Sequence, residues 1–172
     1  MDILSVQSFL GYYKNIRSRT LKVAARIPPD RIDWTYKAGK FTLGDIVRHI
    51  AATERWLYAE NVQNKPSRYA GCGKDLADGY DATLAYMKRT HEESIVIFSA
   101  LTDEDLKKLC TTPAQVQVPI WKLLRAMVEH EIHHRGHGQS GRFLRPHVRQ
   151  RTRPAGQLGG AVLRAAHPPR RA

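Results

Sequence analysis

The sequence has no long apolar run and few cysteines, and it has no acidic side chain after Glu131. A membrane-spanning helix needs roughly 18 or more consecutive apolar residues, so we expect no membrane span. The first residues lack the basic start and the apolar stretch of a signal peptide. The two cysteines, Cys72 and Cys110, have neither metal nor redox spacing. We therefore predict free thiols in a cytoplasmic protein.

The net charge of +12 is unevenly distributed along the chain. Residues 137–172 hold eight of the 28 basic residues, all of them Arg, and no acid. The other 20 basic residues stand against all 16 acids, so residues 1–136 carry a net charge of only +4. Such a tail attracts phosphates, but it offers only Phe143 for stacking on bases. Nucleic-acid binding is therefore the weaker hypothesis.

Apolar residues recur every three or four positions in four segments, which predicts four helices. They run from about Ser5 to Arg26, from Thr42 to about Asn61, from Asp78 or Asp81 to about Leu101, and from Pro119 to Gly136. No alternating pattern longer than 116–119 indicates a strand. We predict an all-α four-helix bundle over residues 1–144. Residues 145–172, a basic tail rich in Pro, Gly and Arg, are expected to be poorly ordered.

Histidines are concentrated in the last predicted helix, at His130, His133 and His134. Residues four apart lie on one face of a helix, so His130 and His134 can direct both imidazoles to one point. His49 lies on the second helix beside apolar residues, where an imidazole needs a partner. It is either a core histidine bonded to a backbone carbonyl or a third metal ligand. Three inward histidines suit Zn, Ni or Fe(II) and leave a coordination position open.

The same stretch also fits the H-E-x-x-H motif of zinc proteases, in which Glu131 would be the general base. The longer form of this motif requires glycine at position 137 and histidine at position 140, where this chain has His137 and Ser140. The other form needs a downstream acid, and none follows Glu131. No sheet is predicted to line a protease cleft. We therefore set the protease hypothesis aside.

Two segments together resemble a known family. The run FTLGDIVRHIAATERW from Phe41 to Trp56 and the run VEHEIHHRG from Val128 to Gly136 resemble the DinB/YfiT-like metal-binding four-helix bundles. The resemblance covers residues 1–136. It implies a divalent metal, usually Zn or Ni, bound by His49, His130 and His134. It also implies a homodimer, and a thiol-dependent S-transferase or isomerase that uses bacillithiol, mycothiol or glutathione.

From this resemblance we expect a metal-dependent transferase that joins a low-molecular-weight thiol to a small electrophile. A hydrolase with a metal-bound water and a metal-stabilised bundle without catalysis are the alternatives. No residue receives a catalytic role from the sequence. We expect His133 to face solvent, Glu54 to be an ion-pair or capping partner, and His91 to be a packing or surface residue rather than a ligand.

Overall fold

A computed structural model describes residues 2–139 of the chain. Within that range four long helices form a bundle, joined by short 3-10 turns and one small hairpin. The predicted all-α bundle is confirmed. The predicted tail, residues 145–172, lies outside the described residues.

Helix α1 spans Val6–Ala24. Its apolar face buries Phe9, Tyr13 and Ile16, which recur at three- and four-residue spacing. At its start, the backbone N–H of Val6 donates to Asp103 Oδ1 at 2.8 Å. The helix ends two residues before the predicted Arg26, because the chain turns ahead of the proline pair at positions 28 and 29.

Helix α2 spans Leu43–Thr53 and begins with the predicted capping box. The N–H of Asp45 donates to Thr42 Oγ1 at 3.0 Å, and the N–H of Thr42 donates to Asp45 Oδ2 at 2.9 Å. These bonds satisfy two backbone donors that a helix start leaves unpaired. Farther along, the fully buried Arg48 donates to the carbonyl oxygens of Cys72 and Ala77 at 2.9 and 3.0 Å. Arg48 therefore fixes the following loop against α2.

The helix continues beyond Thr53 through a π-helical turn, Glu54–Tyr58, and a final α-helical segment, Ala59–Asn61. The N–H of Ala59 donates to the carbonyl of Glu54, five residues earlier. Such turns are rare and occur often at functional sites. The sequence pattern did not predict this one.

Helix α3 spans Tyr80–Ser99 and follows Gly79, whose φ of 80° favours glycine. A two-stranded antiparallel hairpin then pairs β1 (Leu109–Thr111) with β2 (Gln117–Pro119). The sequence pattern did not predict this hairpin, because three-residue strands are too short to produce a clear alternation of apolar and polar residues. Cys110 in β1 is buried, and both cysteines are free thiols, as predicted.

Helix α4 spans Ile120–Gln139 and starts directly after β2. Helices α1 and α2 each pack against both α3 and α4. The order around the bundle is therefore α1, α3, α2, α4, and the α1/α3 groove lies opposite the α2/α4 groove. None of the helices within residues 2–139 combines the length and apolar character needed to cross a bilayer.

Candidate metal centre

Three histidines from two helices meet in the α2/α4 groove. His49 extends from α2, and His130 and His134 extend from α4. One ring nitrogen of each lies within 4.8 Å of the other two. The Nε2 atoms of His49 and His130 are 3.0 Å apart, and the three ring centroids are separated by 4.4 to 4.9 Å. The fold thus brings all three predicted ligands together.

The position of the cluster follows from the burial pattern of α4. Leu124, Met127 and Val128 are buried on the face that packs into the bundle. His130 and His134 continue this face by one and two further turns, where the groove begins to open. All three histidines of the cluster are half-buried. They are therefore shielded from bulk water on one side and remain accessible on the other.

The electrostatics of the cluster favour neutral imidazoles. Burial, together with the neighbouring histidines, lowers the pKa of His130 to about 4. Burial also lowers the pKa of His49. Neutral imidazole nitrogens are the form that binds Zn or Ni, and three protein donors leave a position for water or substrate. The donor set therefore fits a divalent metal site of the catalytic type.

Tyr69 contacts the cluster from the loop between α2 and α3. Its hydroxyl lies 2.7 Å from Nδ1 of His49. Burial and the neighbouring Cys72 thiol raise the pKa of Tyr69 to about 12, so the phenol stays protonated. When Nδ1 of His49 donates to this oxygen, the lone pair of Nε2 points into the cluster. Such outer partners fix the orientation and tautomer of metal-binding histidines.

The π-helical turn holds the loop that carries Tyr69. The carbonyl of Trp56 accepts from the backbone N–H of Arg68 at 2.7 Å and from Ser67 Oγ at 3.2 Å. Two guanidinium groups lie at cation–π distance from the Trp56 ring, that of Arg55 at 4.2 Å and that of Arg68 at 4.5 Å from its centroid. Glu60 accepts from both arginines at 2.6 Å. These contacts attach the loop to the end of α2.

A buried charged cluster lies beside the histidines and draws on all four helices. Arg17 of α1 pairs with Glu54 after α2 and with Glu131 of α4, the latter at 3.0 Å between Nη2 and Oε2. His91 of α3 lies 2.8 Å from Glu54, between Nδ1 and Oε1. The side chains of Arg17, Glu54 and Glu131 are each about 2 % exposed. Because Glu131 follows His130 directly, its ion pair with Arg17 restrains the rotation of α4 at the histidine pair.

The other histidines and acids that were considered for the site lie either where they were expected or away from the histidine cluster. His133 is exposed, as predicted, and its ring centroid is 5.1 Å from that of His134. Glu54 is an ion-pair partner, as predicted. His91 contacts Glu54 rather than the cluster. Glu131 points into the bundle core, so it is placed for an ion pair and not for a general base at the histidines.

Aromatic side chains surround the histidines. The centroids of Phe41 and Tyr69 are 6.0 and 5.7 Å from that of His49. Tyr58 lies 6.0 Å from His130. Phe41 is about half exposed, so it lies at the open side of the cluster. A ligand that approaches the histidines from solvent therefore meets apolar rings as well as the nitrogen donors.

Comparisons with known proteins agree with this architecture. A family model described as the DinB superfamily matches residues 12–137. A DinB-like protein of Bacillus cereus has a similar crystal structure, with a TM-score of 0.67 at 16% identity over 78% of this chain and 89% of that one. A DinB-like protein of Bacillus subtilis, YjoA, gives a TM-score of 0.59 at 21% identity over 76% and 87%. No curated protein matches the sequence.

Proposed function

The chain belongs to the DinB superfamily, and from that premise we propose that it is a metal-dependent transferase that joins a low-molecular-weight thiol to a small electrophile. The cluster of His49, His130 and His134 is the observation that supports this proposal most directly. The three histidines would hold zinc or nickel through neutral nitrogens and leave a position for the thiol.

A zinc or nickel ion at this site would supply a Lewis acid that lowers the pKa of a bound thiol. If Nδ1 of His49 donates to the Tyr69 hydroxyl, the proton stays on Nδ1 and the lone pair of Nε2 is available to the metal. Phe41 and Tyr58 provide apolar surface for the carbon skeleton of the electrophile. In the reaction the sulfur bonds to the electrophilic carbon, the thiol proton passes to solvent, and the displaced group leaves with its bonding electrons.

The metal site is tested by elemental analysis of the purified full-length protein. His49→Ala and His134→Ala should each lose most of the zinc or nickel. His133→Ala is the matched control, because it removes an exposed imidazole from the same helix and should keep the metal. Equal metal content in all three variants would disprove the site.

The transferase activity is tested by incubating the metal-loaded protein with glutathione, bacillithiol or mycothiol and a panel of small electrophiles. We expect consumption of thiol that stops after chelation and returns when the metal is restored. Hydrolysis of an electrophile without thiol consumption would instead favour the hydrolase. Metal-dependent stability with neither reaction would indicate a bundle without catalysis.

The proposal includes a small-molecule substrate, a homodimer and a cytoplasmic location. Light scattering of the metal-loaded protein tests the dimer, because it measures mass independently of shape. A monomer at micromolar concentration would disprove that part of the proposal and leave the metal chemistry unaffected.

A further inference from the structure

A second cavity lies in the α1/α3 groove, on the other side of the bundle from the histidine cluster. Its volume is about 490 Å³, within the range of roughly 300–1,000 Å³ that is typical of small-molecule sites. Half-buried Leu21 of α1 and Leu84 of α3 are apolar residues that line it. The proposed thiol chemistry makes no use of it.

The rim of the cavity is strongly basic. Lys14 and Lys22 of α1 and Lys88 of α3 line it, and no salt bridge involves any of them within residues 2–139. Helix α1 contains no Asp or Glu, and the described side chains that line the cavity include no acid. Like charges around a concave, low-dielectric surface add to one another and attract anions.

Arg17 also lines this cavity, and it links the rim to the buried charged cluster. Its Nη2 atom donates to Tyr13 and Glu54 and forms an ion pair with Glu131, whereas Nε and Nη1, like both carboxylate oxygens of Glu131, are buried without a hydrogen-bond partner in the described part of the chain. A buried donor without a partner is unfavourable. An acceptor bound at the base of the cavity would reduce that cost. An ordinary solvated lysine face offers neither a cavity nor such a group.

We propose that the α1/α3 cavity binds a small organic anion with an apolar body. The three lysines attract the anionic group, and Leu21 and Leu84 contact the apolar body. This site goes beyond the transferase proposal and does not depend on it, because the two grooves lie on opposite sides of the bundle.

The test uses two probes that share their ring system and differ in charge. 1-Anilinonaphthalene-8-sulfonate carries a sulfonate, and N-phenyl-1-naphthylamine is its neutral analogue. Both fluoresce more strongly in apolar surroundings, so both can be titrated into the metal-loaded full-length protein. We expect the sulfonate to bind more tightly than the neutral probe, and its affinity to fall as salt is added.

The triple variant Lys14→Gln, Lys22→Gln, Lys88→Gln should bind the sulfonate about tenfold more weakly, with each lysine contributing about two- to threefold. Its affinity for the neutral probe should stay within about twofold. The control triple variant Lys37→Gln, Lys40→Gln, Lys122→Gln removes the same charge from exposed positions outside the cavity. It should bind both probes like the unchanged protein.

A second pair of variants controls for the effect of the protein's net charge on sulfonate binding. Ser18→Glu places a carboxylate at the cavity, whereas Asn15→Glu places one elsewhere on the exposed surface of α1. Only the first should weaken sulfonate binding. Equal losses in the cavity and control variants, or an equal loss of the neutral probe, would overturn the proposal.

Discussion

The Nε2 atoms of His49 and His130 lie 3.0 Å apart, although the two residues are 81 positions apart in the chain. Two neutral imidazoles with lowered pKa values cannot both present lone pairs at this distance without a proton or a cation between them. His134 completes the group, and one metal ion could be held by all three nitrogens, whereas a shared proton joins only two of them.

Removing the Tyr69 hydroxyl should weaken metal binding without unfolding the protein. Tyr69→Phe deletes the oxygen that lies 2.7 Å from His49 Nδ1. Loss of such an outer partner typically reduces metal affinity about 10- to 100-fold. Competition with a chromogenic chelator measures the change. Tyr12→Phe, an exposed position on α1, is the control, and an unchanged affinity in both variants would contradict the role of Tyr69.

Replacing Arg17 should strongly destabilise the bundle. Arg17→Met leaves Glu54 and Glu131 buried without their cation, which typically costs about 3–5 kcal/mol. Urea unfolding of the metal-free protein measures the loss. Adding Glu131→Gln to Arg17→Met should recover part of it. The exposed Arg19→Met should change the free energy of unfolding by no more than about 0.5 kcal/mol.

The two N-caps should differ in their contributions to stability. Thr42→Ala removes the hydroxyl that accepts from the Asp45 N–H at 3.0 Å, which breaks the reciprocal capping box, and should cost about 1 kcal/mol. Ser5→Ala removes a longer bond of 3.4 Å to the Ser8 N–H, and should cost only about 0.5 kcal/mol. Thermal unfolding of both variants measures this difference. Equal losses would show that the capping box adds nothing to the simple cap.

Stability should depend on pH through Asp45. Burial raises the pKa of its carboxyl, but hydrogen bonds from Thr42 and Arg48 outweigh burial and lower it overall. Because the carboxyl has a lower pKa in the folded than in the unfolded state, the ionised Asp45 stabilises the folded protein. This stabilisation is fully present above the unfolded-state pKa, about 3.9, and is lost as the pH falls through the folded-state pKa. The difference in free energy of unfolding between wild type and Asp45→Asn should therefore be largest above about pH 5 and shrink below about pH 4.

This measurement should use the metal-free protein, so that loss of the metal at low pH does not contribute. Asp30→Asn is the control, because the Asp30 carboxylate is mostly exposed and its nearest basic partner, Arg31, is 3.9 Å away. A pH dependence of the same size in both variants would show that the capping box of α2 is not its source.

Helical spacing was sufficient to predict that His130 and His134 share a face, because their separation of four is a strong local rule. It left His49 open between a core histidine and a third ligand, and the family resemblance placed His49 with the pair. Tyr69 could not be found in this way. Its position depends on a loop attached to the Trp56 carbonyl, and apolar periodicity does not predict which carbonyl a π-helical turn leaves available.

Of the buried charged cluster only the ion-pair role of Glu54 was predicted, but the sequence carried a signal for Arg17 as well. Arg17 directly follows Ile16 and lies four residues after Tyr13, within the apolar stripe of α1. Charged residues are usually assigned to the surface, because burying one is costly unless it is paired. Its partner Glu131 lies more than a hundred positions later, so only the assembled bundle reveals the pair.

The charged cluster also limits the ways in which these four helices can associate. Leucine and valine faces tolerate alternative registers, because apolar contacts have little directional preference. An arginine that is shared by two carboxylates, one of which also contacts His91, does not tolerate alternative registers. If α4 slid by one turn, Glu131 would be left without its cation in an apolar interior, at a cost of roughly several kcal/mol. The same ion pairs therefore select a single helix register, and that register aligns the histidines.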